Sequence, residues 1–205
     1  PEMMGITATG RTIELIEEHL AETVAAIVAV PYVPSSPSRG SSEDLAIRPD
    51  SGVAHWFGVG GYLRPLDDVR SAGVRFAAES LAFAIPPGSD AVGRHFGTAA
   101  VAGHHPDWKA GVPRDRTASW DFEDVRDTYV REVFGVDPLE VRRTDPERYL
   151  QLGRLAVGEA MAHCYRFWRH PDSLCAGALV LTSRDMRRGA GWGLLDVDGD
   201  AKLPL

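Results

Sequence analysis

A single glutamate, Glu79, lies at the end of a short segment whose composition predicts a buried strand. The segment Gly73-Val-Arg-Phe-Ala-Ala-Glu-Ser80 consists mainly of small and apolar residues, which suit a strand covered on both faces. Paired prolines end the apolar stretch that follows. A carboxylate at the carboxyl end of a strand is a common position for a catalytic group in α/β proteins. The alternative is that Glu79 only forms an ion pair with Arg75 or Arg70.

Other candidate groups for chemistry are less specific. Three histidines and an aspartate are candidate metal ligands, although no single predicted element holds them together: His95, His104, His105 and Asp107. The run Asp196-Val-Asp-Gly-Asp200 resembles the start of a calcium loop but has no closing glutamate, which favours a turn at Asp198-Gly199. The sequence also contains no dinucleotide, phosphate-loop or serine-hydrolase motif. It therefore predicts neither a metal nor a cofactor.

Composition and charge narrow the class of protein. The 205 residues are 44% hydrophobic and 25% charged, which is typical of a globular chain with one sizeable core. A net charge of −7 argues against nucleic-acid or anionic-membrane partners, since both require clustered basic residues. No apolar run approaches the roughly 18 residues of a membrane span, and the N-terminal residues do not resemble a signal peptide. We therefore expect a soluble, cytoplasmic protein.

Two cysteines, Cys164 and Cys175, match neither a disulfide framework nor a zinc motif. We expect both to be buried thiols in a reducing compartment. A disulfide or a reactive thiol is the alternative.

Helices and strands alternate along the chain. Helical spacing of apolar residues predicts a helix over 12–29, and further helices follow Ser119 or Asp121 and the pair Asp145-Pro146. The predicted strands are 29–33, 51–59, 74–79 and 176–182. The stretch 86–118 is rich in glycine, proline and histidine, and its length predicts a functional loop or lid.

This alternation predicts an α/β fold with parallel strands. Polar residues follow the strands, as they do in a (β/α) barrel that displays its active site at the carboxyl ends of its strands. Only four strands are predicted, whereas a complete eight-stranded barrel takes roughly 250 residues. The sequence therefore predicts a partial TIM barrel.

Five stretches follow one order along nearly the whole chain and together resemble a known family. They are Pro31-Tyr-Val-Pro-Ser-Ser-Pro37, Gly52-Val-Ala-His-Trp-Phe-Gly58, Val74-Arg-Phe-Ala-Ala-Glu-Ser80, Gly177-Ala-Leu-Val-Leu-Thr-Ser-Arg-Asp185 and Gly191-Trp-Gly-Leu-Leu-Asp196. They are similar to the second half of the catalytic barrel of glycoside hydrolase family 2, closest to its β-mannosidase branch. The resemblance implies that residues 1–205 form a segment of that barrel, truncated at both ends, with about strands 5 to 8 and their helices.

The resemblance also implies roles for individual residues. Glu79 matches the nucleophile at the end of the seventh strand, and the acid/base glutamate is expected upstream of Pro1. The residues that match the family's substrate site are Ser35, Ser36, His55, Trp56 and Asp185. Stacking of a sugar on Trp56, Trp120 or Trp192 would complete the site, although a tryptophan is also a common core residue. Two stretches depart from the family by lacking expected aromatic residues: Val59-Gly60-Gly61 and Leu181-Thr182-Ser183.

Two functions follow as alternatives. The first is a retaining β-glycosidase of the β-mannosidase type that forms a covalent glycosyl-enzyme, of which this chain is a fragment that is inactive alone. The second is a non-catalytic barrel half that binds carbohydrate or associates with the rest of the barrel. The expected partners are a carbohydrate substrate and either a second copy or the remainder of the polypeptide.

Overall fold

The structure is a computed structural model that describes residues 13–38, 48–115 and 117–205. Its first element is a π-helical turn, Leu15–His19, that continues as helix α1, Leu20–Ile27. This confirms the predicted first helix, although it ends at Ile27, two residues earlier than predicted, and Thr12 lies outside the described residues. The helix buries none of its residues. The segment that follows returns toward the helix, because the Tyr32 hydroxyl donates to the carbonyl of Ile16 at 2.6 Å.

Two parallel strands form the sheet, β1 (Ala54–Trp56) and β2 (Ala77–Ser80). The fourth predicted strand, 176–182, contributes only a parallel bridge from Ala178 to Ala77, supported by Leu179 N–H donating to Ala77 C=O at 2.8 Å. The predicted strand 29–33 was wrong, since within the described residues it has no ladder partner. An apolar composition alone does not make a strand without a neighbouring chain to accept its hydrogen bonds.

The region predicted as a loop or lid, 86–118, is largely helical. It contains α2 (Ser89–Phe96), α3 (Ala99–Ala102) and α4 (Pro106–Gly111). Short helices of this kind are set by local caps: the side chain of Thr98 caps α3, and that of His105 caps α4 ahead of a proline at the first helical position. The prediction of one irregular loop was therefore wrong.

Three more helices follow, of which the capping residues predict the first and the last but not the short helix between them. Helix α5 (Phe122–Phe134) begins at a capping box on Asp121 and ends at Gly135, whose φ of 64° is left-handed. A short helix α6 (Pro138–Thr144) precedes α7 (Pro146–Trp168), which the Asp145 side chain caps. A 3₁₀ turn, Leu66–Arg70, lies between the two strands in sequence.

The core lies between the two strands and helices α5 and α7. Its most deeply buried large side chains include Trp56, Phe83, Trp108 and Tyr129. Cys164 is buried in the same core and Cys175 is half-buried, and both are free thiols. The structure is thus a mixed α/β fold with a small parallel sheet, while the partial barrel stays a prediction.

Within the parts of the chain that the structure describes, no helix has both the length and the apolar character required to cross a bilayer. Cellular location stays a prediction.

Candidate active site

Strand pairing places His55 beside Glu79. The parallel register sets His55 opposite Glu79 and Trp56 opposite Ser80, after an irregularity between Ala54 and His55. Side chains at paired positions of neighbouring strands lie on the same face of a sheet. The imidazole Nδ1 of His55 is 3.5 Å from Oε2 of Glu79. The pairing of the two strands therefore brings the side chains of His55 and Glu79 into direct contact.

Ser36 extends this contact into a chain of three residues. Its Oγ is 2.7 Å from Nε2 of His55, so each imidazole nitrogen faces a polar partner. The His55 side chain is 12% exposed, whereas that of Glu79 is 42% exposed. The largely covered histidine is thus fixed from both sides, and the carboxylate remains open to solvent and to a ligand. Fixing a reactive group through neighbouring side chains is what a catalytic arrangement requires.

Glu79 lines a cleft of about 490 Å³. Five aromatic side chains share its wall: Phe57, Tyr62, Trp120, Phe122 and Trp192. The rings pack edge to face, with 5.6 Å between the centroids of Trp120 and Phe122 and 5.0 Å between those of Phe122 and Trp192. A concave site with aromatic walls and few polar groups is typical of small-molecule binding. The apolar faces of a sugar ring suit such walls.

A loop after α4 adds two charged residues to the cleft, Arg114 and Asp115. The Asp115 carboxylate accepts hydrogen bonds from the backbone N–H and the hydroxyl of Thr117, both at 2.9 Å. These two bonds lower the pKa of Asp115. Asp115 is therefore ionised near neutral pH and is poorly suited to donate a proton. Neither residue is predicted from the sequence, because both lie in a stretch without helical or strand periodicity.

No protein-family model and no curated protein matches this sequence. Among solved structures, the chain is similar to a β-D-mannosidase from Dictyoglomus thermophilum, with a TM-score of 0.65 and 19% sequence identity. The match covers 92% of this chain but 22% of the mannosidase chain. The chain has the fold of part of this enzyme. At such low identity the likeness concerns the fold alone, and the chain spans about a fifth of the mannosidase's length.

Trp56 does not lie in the cleft. Its side chain is 1% exposed and packs edge to face on Trp168, with 5.6 Å between ring centroids. The next residue, Phe57, lines the cleft instead. Successive side chains of a strand point to opposite faces, so of the pair His55 and Trp56 only His55 points toward the site. The burial of Trp56 gives no support to the predicted sugar contact.

Asp185 also differs from the expectation of a free substrate ligand. It is 6% exposed, it pairs with the Lys202 ammonium, and its Oδ1 accepts from the Gly193 N–H at 2.7 Å. Burial raises the pKa of Asp185 against the opposing effect of Lys202. Asp185 does line a second cavity of about 270 Å³, together with Arg184 and Trp192. Its carboxylate is nonetheless held by the protein itself.

Neither arginine expected as an ion-pair partner of Glu79 takes that role among the described contacts. Arg70 pairs with Asp67 at 3.1 Å, and Arg75 is exposed, with its backbone bonded to Pro49 and Ala176. The contact described for Glu79 is the one with His55.

Ser35 lies in the turn before the sheet, where its hydroxyl donates to the carbonyl of Pro37 at 3.0 Å. This bond serves the turn. The predicted substrate contacts of Ser35 and Ser36 stay predictions.

Two of the candidate metal ligands, His95 and His105, have other side-chain contacts. His95 lies 2.7 Å from Asp198, and His105 caps α4 by accepting from the Asp107 N–H. The carboxylates of Asp196, Asp198 and Asp200 lie close together, and Arg94 pairs with the latter two. Gly199, with a φ of 94°, makes the turn that the sequence predicts. The guanidinium of Arg94 thus places a positive charge beside this group of carboxylates.

Proposed function

We propose that the cleft is part of the active site of a retaining β-glycosidase of the β-mannosidase type, with Glu79 as nucleophile. The observation that supports this most is the contact of Glu79 with His55 at the edge of an aromatic cleft. His55, itself held by Ser36, would orient the carboxylate. The aromatic walls, above all Trp120 and Trp192, would bind the sugar ring.

In the proposed reaction, a carboxylate oxygen of Glu79 forms a bond to the anomeric carbon as the glycosidic C–O bond breaks. A second carboxyl group gives its proton to the leaving oxygen. That group then takes a proton from water, which attacks the same carbon and releases Glu79. Two displacements at one carbon give net retention of configuration. The two carboxyl groups of such an enzyme lie roughly 5 to 5.5 Å apart.

We propose that the second carboxyl group precedes Pro1 and belongs to a longer enzyme. Asp115 shares the cleft, but it is exposed and its pKa is lowered, so it does not suit proton donation. The match to only 22% of a mannosidase chain is consistent with a longer enzyme. The 205 residues alone should therefore hydrolyse no aryl β-glycoside.

The test uses the longest natural polypeptide that contains this sequence. Glu79→Gln should abolish turnover of an aryl β-mannoside without loss of folding, because an amide keeps the shape of the carboxylate but cannot attack carbon. Glu159→Gln, at an exposed position on α7, is the matched control and should retain activity. Aryl β-glucosides and β-galactosides assayed in parallel define the sugar.

A mechanism-based fluoro-sugar provides the second arm of this test. It should add one glycosyl group to the protein, and peptide mass mapping should place that group on Glu79. Near-normal turnover in Glu79→Gln, or labelling elsewhere, would refute the assignment.

A binding function without catalysis is the alternative, favoured by the lack of a suitable proton donor among the described cleft residues. Under this alternative, a saccharide should quench the fluorescence of Trp120 or Trp192 in the full polypeptide, but there should be no turnover and no covalent label.

A further inference from the structure

The tryptophan at the wall of the cleft is carried by a short segment between two glycines. Trp192 lies between Gly191 and Gly193, and its ring meets Phe122 edge to face. Few backbone hydrogen bonds hold this segment: Ile85 N–H donates to Gly191 C=O at 2.9 Å, and Thr182 N–H approaches Trp192 C=O at 3.4 Å. The orientation of the ring depends on what fixes the two glycines.

A buried ion pair holds both glycines. The side chains of Lys202 and Asp185 are 0% and 4% exposed and contact each other. The Lys202 ammonium also donates to Gly191 C=O at 3.2 Å and to Ile85 C=O at 2.9 Å. The Asp185 carboxylate accepts from Gly193 N–H at 2.7 Å. One pair therefore holds the residue before Trp192 and the residue after it.

The two glycines permit this close approach. A Cβ at Gly191 would lie 2.3 Å from Oδ1 of Asp185, and one at Gly193 would lie 2.5 Å from the Asp185 backbone nitrogen. Any other residue at Gly191 would displace the Asp185 carboxylate, and any other residue at Gly193 would require the backbone to move. The carboxylate can therefore lie directly against the segment that carries Trp192.

Stability alone does not explain such a pair. Burial raises the pKa of Asp185 and lowers that of Lys202, so the environment opposes both charges. Buried ion pairs often stabilise a fold no more than apolar residues of similar volume would. What this pair provides, and apolar residues would not, is a set of directed hydrogen bonds to Gly191, Gly193 and Ile85.

We propose that Asp185 and Lys202 are positioning residues that fix Trp192 as a binding wall for a saccharide in the Glu79 cleft. The saccharide part of this inference rests on the proposed function. Asp185 then acts through Trp192 and makes no contact with the substrate.

The test follows the Trp192 ring in protein labelled with 5-fluorotryptophan. The ¹⁹F signal of Trp192 is assigned with Trp192→Phe, and the buried Trp168 serves as an internal reference. Lys202→Met keeps the length of the side chain and removes the three contacts of the ammonium. We expect the Trp192 signal to shift or broaden while that of Trp168 stays in place.

Two further variants separate positioning from general destabilisation. In Asp185→Asn/Lys202→Met both charges of the pair are removed, so the protein should fold and the Trp192 signal should still move. Lys109→Met breaks another lysine–carboxylate pair, between the half-exposed Lys109 and the buried Glu123, which contacts neither glycine, and should leave the signal unchanged. An unchanged Trp192 signal in both Lys202 variants, or equal shifts at Trp192 and Trp168, would overturn the proposal.

Saccharide affinity supplies a second readout. Loss of an aromatic contact weakens binding by up to about tenfold. Lys202→Met should cause a loss of this order, and adding Trp192→Ala should cause little more, because both changes remove one interaction. Additive losses would refute coupling through Trp192. If the wild-type protein binds no saccharide, the proposed function fails, while the ¹⁹F result still decides whether the pair positions Trp192.

Discussion

Helices α1 and α7 differ in what covers their apolar side chains. Both have apolar residues at helical spacing, yet α7 buries Leu150, Val157, Met161 and Trp168 among others, and α1 buries none. Ile27, near the end of α1, is 79% exposed. The spacing of apolar residues therefore identifies the face of a helix that is suited to packing, but it does not identify the partner that covers it.

The exposed apolar surface continues beyond α1. Val28, Val30 and Val33 are each roughly half exposed, and they follow Ile27 directly in the sequence. Contiguous exposed apolar residues in a soluble protein commonly mark an interaction surface. We propose that further residues of the same polypeptide cover this surface, which fits a chain that matches 22% of a larger mannosidase. The helices around α5, in contrast, should be stable through contacts within these 205 residues.

We expect the largest change in the free energy of unfolding from a substitution of Arg126, the most completely buried charged residue in the described part of the chain. Its side chain is fully buried, pairs with Asp127 and contacts the Tyr149 hydroxyl. Arg126→Met would leave the neighbouring carboxylates without their cation, which costs about 3–5 kcal/mol of the free energy of unfolding. Urea denaturation measures this loss. Arg131→Met, at an exposed position on the same helix, should change it by less than about 0.5 kcal/mol. Similar small losses in both variants would contradict the assigned importance of the buried network.

An intermediate effect is expected at Glu123, and it should depend on pH. Burial opposes its charge, but Arg126, Lys109 and Trp108 outweigh that effect, so the pKa of Glu123 is lowered. A carboxylate whose pKa is lower in the folded state stabilises the fold above its unfolded pKa of about 4.5. That contribution is lost as the pH falls through the folded-state pKa.

Glu123→Gln should therefore lower the free energy of unfolding at pH 7 by about 1–3 kcal/mol. The free energy of unfolding of the wild type should fall further between about pH 5 and about pH 3. The variant should show a smaller fall over this range, because it has no carboxylate at position 123 to protonate. Thermal unfolding across this pH range provides the measurement. Glu159→Gln is the exposed control. Equal pH slopes for wild type and Glu123→Gln would show that Glu123 contributes nothing to acid sensitivity.

Features set by local interactions were the most predictable from the sequence. The cap at Asp121, the stop at Gly135 and the start at Asp145-Pro146 each depend on a few neighbouring residues, and the structure has all three. Strand pairing depends on distant segments, so the strand at 29–33 was predicted and is not found in the described chain. The helices within 86–118 are short and interrupted by glycine and proline, which weakens their periodicity.

The site was predictable to the extent that strand ends were recognisable. Glu79 was predicted from its place near the end of a strand and His55 from the family resemblance, and the strand register brings the two together. Trp56 shows the limit of this reasoning. It follows His55 directly, but neighbouring residues of a strand point to opposite faces, so its side chain lies in the core and not in the cleft. Arg114 and Asp115 reach the cleft through the loop after α4, and nothing in their spacing indicates that position. The ion-pair partner of Asp185 was not predictable either, because Lys202 is distant from it in the sequence and follows the turn at Asp198-Gly199.

The smallest effect on unfolding, and the sharpest test of the contrast between α1 and α7, is expected at Ile27. Because its side chain is 79% exposed, Ile27→Asp should change the free energy of unfolding of the 205-residue chain by less than about 0.5 kcal/mol. The same change should weaken association, since a charge would have to be buried against the partner. Ala25→Asp is the matched control, because a residue two positions away points to the opposite side of the helix.

Sedimentation of the isolated chain at micromolar concentration measures this association. We expect the wild-type chain and Ala25→Asp to self-associate, or to bind the remaining polypeptide when it is added, and Ile27→Asp to do so more weakly. A second copy would cover the exposed apolar residues in place of the natural partner. A stable wild-type monomer with cooperative unfolding, unaffected by added polypeptide, would show that α1 requires no cover. The contrast between α1 and α7 would then reflect tolerance of exposed apolar residues and would not mark an interface.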